Sequence, residues 1–207
     1  MKLIILGGFL GSGKTSVLMP LAHRIVDTTE GGNKTKLAII ENEIGQVGVD
    51  NVFLDGKGYT SREMFNGCVC CSMAEPLLNC LCELEKNENP DWVILEATGL
   101  AYPSDIADNI WDVYDEDMSI TTVILADASR WMSLVAAAEE LVHDQITNAN
   151  YIIVNKTDLV SEDDLKKVSD DITEYTDGKM YQISVKNEPD KLIDICDEII
   201  KEIKSWE

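Results

Sequence analysis

The eight residues Gly8-Phe9-Leu10-Gly11-Ser12-Gly13-Lys14-Thr15 follow directly on the apolar run Leu3-Ile4-Ile5-Leu6. This is the pattern G-x-x-x-x-G-K-[ST] in the context its mechanism requires, after a strand and at the start of a helix. Gly8, Gly11 and Gly13 let backbone N–H groups close around an anion, with Ser12 in the same cradle. The N-terminus of the helix that carries Ser16 adds positive partial charge. Lys14 is positioned to reach terminal phosphates, and the Thr15 hydroxyl to ligate Mg²⁺. The ligand class implied is a nucleoside triphosphate.

The remainder of the chain alternates apolar runs with helical patterns. Strands are expected at 2–6, 37–41, 92–95, 121–126, 150–154 and 180–183. Helices are expected at about 14–27, 73–87, 103–113, 130–146, 161–175 and 190–205, with ends uncertain by ~2–4 residues. Runs such as Val93-Ile94-Leu95 and Ile152-Ile153-Val154 are apolar without alternation, as strands buried on both faces are. The expectation is an α/β fold of the P-loop NTPase kind: a mostly parallel sheet with helices on both faces. Long loops are expected at 28–36, with a Gly31-Gly32-Asn33 turn, and at 42–67. Pro20 falls inside the first helix, where it removes a hydrogen bond to Ser16.

The 207 residues suit a single domain spanning 1–207. No run of eighteen or more apolar residues is present, which argues against a membrane span. The opening strand leaves no room for a removable leader, so the expected compartment is the cytoplasm. A formal net charge of −21 disfavours nucleic acid and anionic membranes as partners. From Glu83 to Asp117 there are eleven carboxylates against one cation, Lys86, which reads first as a solvated face.

Three further motifs carry chemistry. Asn155-Lys156-Thr157-Asp158 follows an expected strand. Asp158 there can accept hydrogen bonds from guanine N1–H and its exocyclic amine, a donor pair adenine lacks. Asn155 would brace the loop, the Lys156 stem would lie on the base, and a backbone N–H of Ser184-Val185-Lys186 would meet the guanine oxygen. Glu96-Ala97-Thr98-Gly99 follows another strand. Glu96 suits Mg²⁺, and the Gly99 amide suits a γ-phosphate, moving when that phosphate leaves. Each segment sits beyond the C-terminal end of a strand, where open α/β sheets bind ligands.

The third motif is Gly67-Cys68-Val69-Cys70-Cys71. In a reduced compartment clustered thiols suggest metal or redox chemistry before structural disulfides. Thiolates at 68, 70 and 71 suit Zn²⁺ and similar ions, but three sulfurs leave a fourth position open. Buried apolar cysteines or a redox switch are the alternatives. Ser72 to Glu75 resembles a capping box for the next helix. Cys80, Cys82 and Cys196, like the lone His23 and His143, read as structural.

Together these segments resemble the CobW-type GTPases, relatives of the nickel-insertion GTPases of urease and hydrogenase maturation. Gly7 to Thr15 is similar to the family's opening and Asn42-Glu43-Ile44-Gly45-Gln46-Val47-Gly48-Val49-Asp50 to its first switch. Asn66 to Cys71 is similar to its metal motif and Glu96 to Leu100 to its second switch; Asp127 and Gln145 to Asp158 also fit. Gln46 stands where the family usually has glutamate, and Tyr102 where aspartate is common. The family's usual second domain, and the His-rich stretch of some members, have no counterpart in these residues.

The resemblance implies a Mg²⁺-dependent GTP hydrolase; no arginine finger is evident in the sequence, so slow basal turnover is expected. It would hold zinc, cobalt or nickel at Cys68, Cys70 and Cys71, helped by Glu43, and couple it to hydrolysis. Lys14, Glu43, Glu96 and Gly99 are the candidate catalytic residues, with Glu43 or Glu96 placing the water. A client metalloenzyme or cofactor-dependent protein, and a second copy of the chain, are the implied partners. Alternatives are a regulatory GTPase escorting a corrinoid enzyme, or a small-molecule kinase, which the guanine motif opposes.

Overall fold

The computed structural model describes residues 1–30, 33–41, 59–63, 74–114 and 118–205. In chain order these form β1 (Lys2–Gly7), α1 (Lys14–Asp27), β2 (Thr29–Glu30), β3 (Asn33–Lys34), β4 (Leu37–Glu41) and β5 (Tyr59–Glu63). There follow α2 (Ala74–Asn87), β6 (Trp92–Glu96), α3 (Pro103–Tyr114), β7 (Ser119–Asp127) and α4 (Trp131–Ile146). The chain continues through β8 (Tyr151–Asn155), α5 (Glu162–Tyr175), β9 (Lys179–Ile183) and α6 (Pro189–Lys204). The main sheet has seven strands in the order β5-β4-β6-β1-β7-β8-β9, and every neighbouring pair is parallel. The α/β fold with a parallel sheet is thus as expected.

Two expectations need correction. The stretch 42–67 includes the strand β5, and 28–36 includes the small antiparallel pair β2–β3. Tyr59-Thr60-Ser61-Arg62-Glu63 lacks the apolar run of a strand buried on both faces. It is a strand because its backbone pairs in register with β4 at the sheet edge, from Leu37↔Tyr59 to Glu41↔Glu63. Two-residue strands are too short to leave any periodicity.

Alternate residues of the central strands feed opposite faces. On one face Ile4, Leu6, Ile39, Ile94, Leu125 and Ile153 pack with Leu18, Leu21 and Ile25 of α1 and Ile195, Ile199 and Ile203 of α6. On the other, Leu3, Ile5, Ile40, Val93 and Leu95 meet Leu77, Leu81 and Leu84 of α2 and Ile110 of α3. Further along that face Ile124, Ile152 and Val154 meet Trp131 and Val142 of α4 and Val168 and Ile172 of α5. Two-sided burial is why these strands lack polar alternation. Trimming one such side chain, Ile5→Ala for example, costs about 2–5 kcal/mol. α1 runs unbroken through Pro20, carried by its buried apolar face.

The register places the functional segments side by side. Leu6 pairs with Glu96, Asp127 with Asn155, and Asn155 with Ile183. The loop after β1 and the ends of β6, β7, β8 and β9 therefore share the C-terminal edge of the sheet. Among the described residues, no helix is long and apolar enough to cross a membrane.

Candidate functional site

The loop Gly8–Thr15 owes its shape to glycine at two positions above all. Gly8 has φ 125° and Gly13 φ 109°, values an L side chain rarely adopts. A Cβ at Gly8 would lie 2.3 Å from the Leu125 carbonyl oxygen, and one at Gly13 2.5 Å from Asn155 Nδ2. The loop thus rests directly on the ends of β7 and β8. α1 opens with Lys14, Thr15 and Ser16 and has no acidic residue in its first turn, which leaves its positive end to an anion. Lys14 is buried, and its Nζ donates to the Gly8 carbonyl at 2.8 Å. Burial lowers its pKa below the usual lysine range, and the charge of Glu96 only partly opposes this.

Thr15 and Glu96, far apart in sequence, meet here: Thr15 Oγ1 donates to Glu96 Oε1 at 3.2 Å. A hydroxyl and a carboxylate at the mouth of a phosphate-sized loop are hard oxygen donors, and they fit Mg²⁺. The buried hydroxyls of Ser12 and Thr98 have no hydrogen-bond partner among the described residues, so a polar ligand has groups to satisfy. Gly99 lies against the loop, since a Cβ on it would come 2.7 Å from the Leu10 amide nitrogen. The buried Gln145 amide donates to the Gly99 carbonyl at 2.9 Å.

On the other side of the loop, Asn155 is a brace. Its Nδ2 donates to the Ser12 carbonyl at 2.8 Å, and its Oδ1 accepts the Lys156 and Val185 amides at 2.7 and 3.0 Å. Lys156 has φ 64°, and its Nζ donates to the Gly11 carbonyl at 2.7 Å. Asp158 is exposed in the turn Thr157–Leu159 that follows. The Ser184 amide is taken by Glu188 Oε2 at 2.8 Å, and this bond chiefly holds the Glu188 carboxyl below its usual pKa. Of the trio 184–186, only the Lys186 amide has no partner among the described residues.

Three residues outside the motifs join the site. Asp127, noted in the sequence only through resemblance, ends β7 fully buried. Burial pushes its pKa up, but hydrogen bonds from Lys156, Ser129 and Arg130 outweigh it and hold the carboxyl below its usual range. Its signal was visible: like Glu96 and Asn155, it is a polar residue closing an apolar run. Gln145 too was noted only through resemblance, and Arg130 left no such signal, because nothing local distinguishes it from other helix polars.

Glu43, Cys68, Cys70 and Cys71 lie outside the described residues. Among those described, no group of three or more His, Cys, Asp and Glu side chains is arranged to hold a metal ion. Cys196 sits in the core, and burial pushes its thiol up to about 12. Cys82 accepts a hydrogen bond from the Tyr114 hydroxyl at 3.3 Å.

Comparison with known proteins finds likeness over most of the chain. The chain is 32% identical over 213 residues to the zinc chaperone CobW of a Sinorhizobium species, covering 88% of this chain and 58% of that protein. It is 35% identical over 157 residues to the zinc chaperone YeiR of Escherichia coli, covering 74% and 46%. It spans about half the length of the curated relatives it matches. The crystal structure of Zn(II)-bound YjiA GTPase from E. coli superposes with a TM-score of 0.62 at 25% identity, over 88% of this chain and 57% of that one. Nickel-bound HypB from Helicobacter pylori shares the fold, with a TM-score of 0.65 at 21% identity over 98% and 87%. The family model described as the CobW/HypB/UreG nucleotide-binding domain matches residues 2–182, and the chain belongs to that family.

Proposed function

We propose that this chain is a Mg²⁺-dependent GTP hydrolase whose turnover controls the holding and delivery of a transition metal. The observation that carries the reading is the meeting of Thr15, Glu96, Asn155 and the glycine loop at one sheet edge. The names of the matched relatives support it: zinc chaperones, and a zinc-regulated GTPase metalloprotein activator from Dictyostelium discoideum.

In this reading the loop amides and Lys14 hold the β- and γ-phosphates, Gly99 offers its amide to the γ-phosphate, and Asp158 reads guanine. Thr15 and Glu96 would hold Mg²⁺, which when bound neutralises charge on the phosphates. Water placed by Glu43 or Glu96 attacks the γ-phosphorus, the bond to the β-phosphate oxygen breaks, and GDP and phosphate leave. The slow basal turnover in this reading is consistent with the two described arginine side chains being committed elsewhere. Arg24 is paired with Asp197, and Arg130 with Asp127 and the Leu10 carbonyl.

Zn²⁺, Co²⁺ or Ni²⁺ is the cargo, held by Cys68, Cys70 and Cys71 with Glu43, and a client metalloenzyme in the cytoplasm receives it. A second copy of the chain is a candidate partner. Steady-state GTP hydrolysis with and without each metal tests this. The expected result is slow basal turnover that rises with the cognate ion, and loss of tight metal binding in Cys70→Ser with Cys82→Ser unaffected. Fast, metal-indifferent turnover would count against it.

A further inference from the structure

Asp127 does more than close a strand. Its Oδ1 accepts from the Ser129 amide at 3.1 Å and the Ser129 hydroxyl at 2.6 Å. Its Oδ2 accepts from Arg130 Nε at 2.8 Å and Lys156 Nζ at 2.7 Å. Each of those cations has a second bond. Arg130 Nη2 donates to the Leu10 carbonyl at 2.7 Å, while Lys156 Nζ holds the Gly11 carbonyl. Two successive carbonyls of the phosphate loop are therefore held from outside by two cations seated on one oxygen. Asn155 holds the next, that of Ser12.

Peptide geometry gives this consequences. In a trans peptide the N–H points opposite to the C=O. Holding the Leu10 carbonyl outward turns the Gly11 N–H the other way, and holding the Ser12 carbonyl does the same for Gly13. Ser12 differs, because its N–H already bonds the Phe9 carbonyl. Lys156 belongs to the proposed base-reading segment, so the same carboxylate connects that segment to the loop.

We infer that Asp127 is a positioning residue for nucleotide binding. By seating Arg130 and Lys156 it keeps the Leu10 and Gly11 carbonyls turned away from the phosphates, and it mechanically joins base recognition to phosphate recognition. The inference rests on the reading that nucleotide phosphates occupy the Gly8–Thr15 loop. The Asp127 side chain is 0% exposed, and that of Arg130 is 46% exposed. Arg130 can therefore be removed without opening the core.

The test is GDP and GTP affinity, with steady-state kinetics, for wild type, Arg130→Ala, Arg130→Lys, Asp127→Asn and the Asp127→Asn/Arg130→Ala double variant. Arg130→Ala should weaken both nucleotides together by about tenfold. Its kcat at saturating GTP should stay within about twofold, because uniform binding is lost. Arg130→Lys should recover only part, since Arg130 reaches its two acceptors with separate nitrogens, Nε and Nη2, held in a fixed fork that a single ammonium at this position lacks. Removing Arg130 from Asp127→Asn should add less than about twofold, because the two act as a unit. Folded Arg130→Ala that binds GDP like wild type, or strictly additive losses, would overturn the inference while leaving the nucleotide reading intact. Wild type that binds neither nucleotide would remove the nucleotide reading itself, and this inference with it.

Discussion

The two sides of the candidate site are built differently. On the base side, the ends of β7, β8 and β9 satisfy one another through bonds of Asp127, Asn155, Lys156, Arg130 and Glu188, and three of these, Asn155, Lys156 and Arg130, also grip the loop. Ser184 Oγ is the exception there. On the phosphate side, Thr15 donates to Glu96 at 3.2 Å, and the buried hydroxyls of Ser12 and Thr98 lack partners among the described residues. One side is pre-organised before ligand arrives. The other keeps polar groups whose needs a ligand would meet. Buried groups left unsatisfied cost about 1–3 kcal/mol each, so a phosphate-bearing ligand has a direct means of biasing the segment around Glu96 and Gly99.

The sharpest way to break this contrast is Lys14→Ala. The phosphate side should lose its charge stabilisation, with kcat/KM for GTP down by at least about 10³, while the fold survives by circular dichroism. A loss below tenfold would mean that the loop's amides suffice alone. Next comes Asp158→Asn on the base side. It should cost GTP affinity about a hundredfold by removing two charge-assisted bonds, and favour xanthosine triphosphate, whose ring edge matches a carboxamide. Unchanged GTP against ATP preference would take base reading away from this turn.

Gly13→Ala acts where the sides join. Its positive φ and the nearby Asn155 Nδ2 should cost at least about 2 kcal/mol in thermal unfolding. A neutral result would show that the joint can relax.

The pH profile separates the two sides more gently. Lys14 has a lowered pKa, so its charge is lost as pH rises through a value below the usual 10.5. Because kcat/KM reports the free enzyme, its alkaline limb should fall at lower pH than that of kcat, where bound phosphates restore the charge. Lys14→Arg should remove the limb. For Asp127 the sign is reversed. Its lowered pKa contributes stability present above the unfolded carboxylate value and lost as pH falls through the folded one, so its acid limb begins below about pH 4. The smallest effect is expected of Thr98→Val. It should leave the nucleotide-free protein unchanged or up to about 1 kcal/mol more stable, and weaken GTP binding only if the hydroxyl meets the ligand.

Much of this was legible in the chain. Glu96, Asn155 and Asp158 stood out because they belong to polar motifs closing apolar runs, and Lys14 and Thr15 because they end the glycine loop that follows one; the parallel register brought those segments to one edge. Among the described residues, the α-helices α1 to α6 were readable from their apolar stripes. β5 was not, since an edge strand is made by its partner's backbone rather than by its own apolar content. Arg130 was not either, and Gln145 was noted only through resemblance. Their roles depend on carbonyls at Leu10 and Gly99, far away in sequence.

The order of residues by itself determined the parallel α/β plan and the chemistry offered at its strand ends, because periodicity and glycine placement are local properties. Only the tertiary structure decided which of those groups are already committed to one another. Hydrogen bonding depends on distances of a few ångströms, and folding alone sets these between segments that the chain holds far apart.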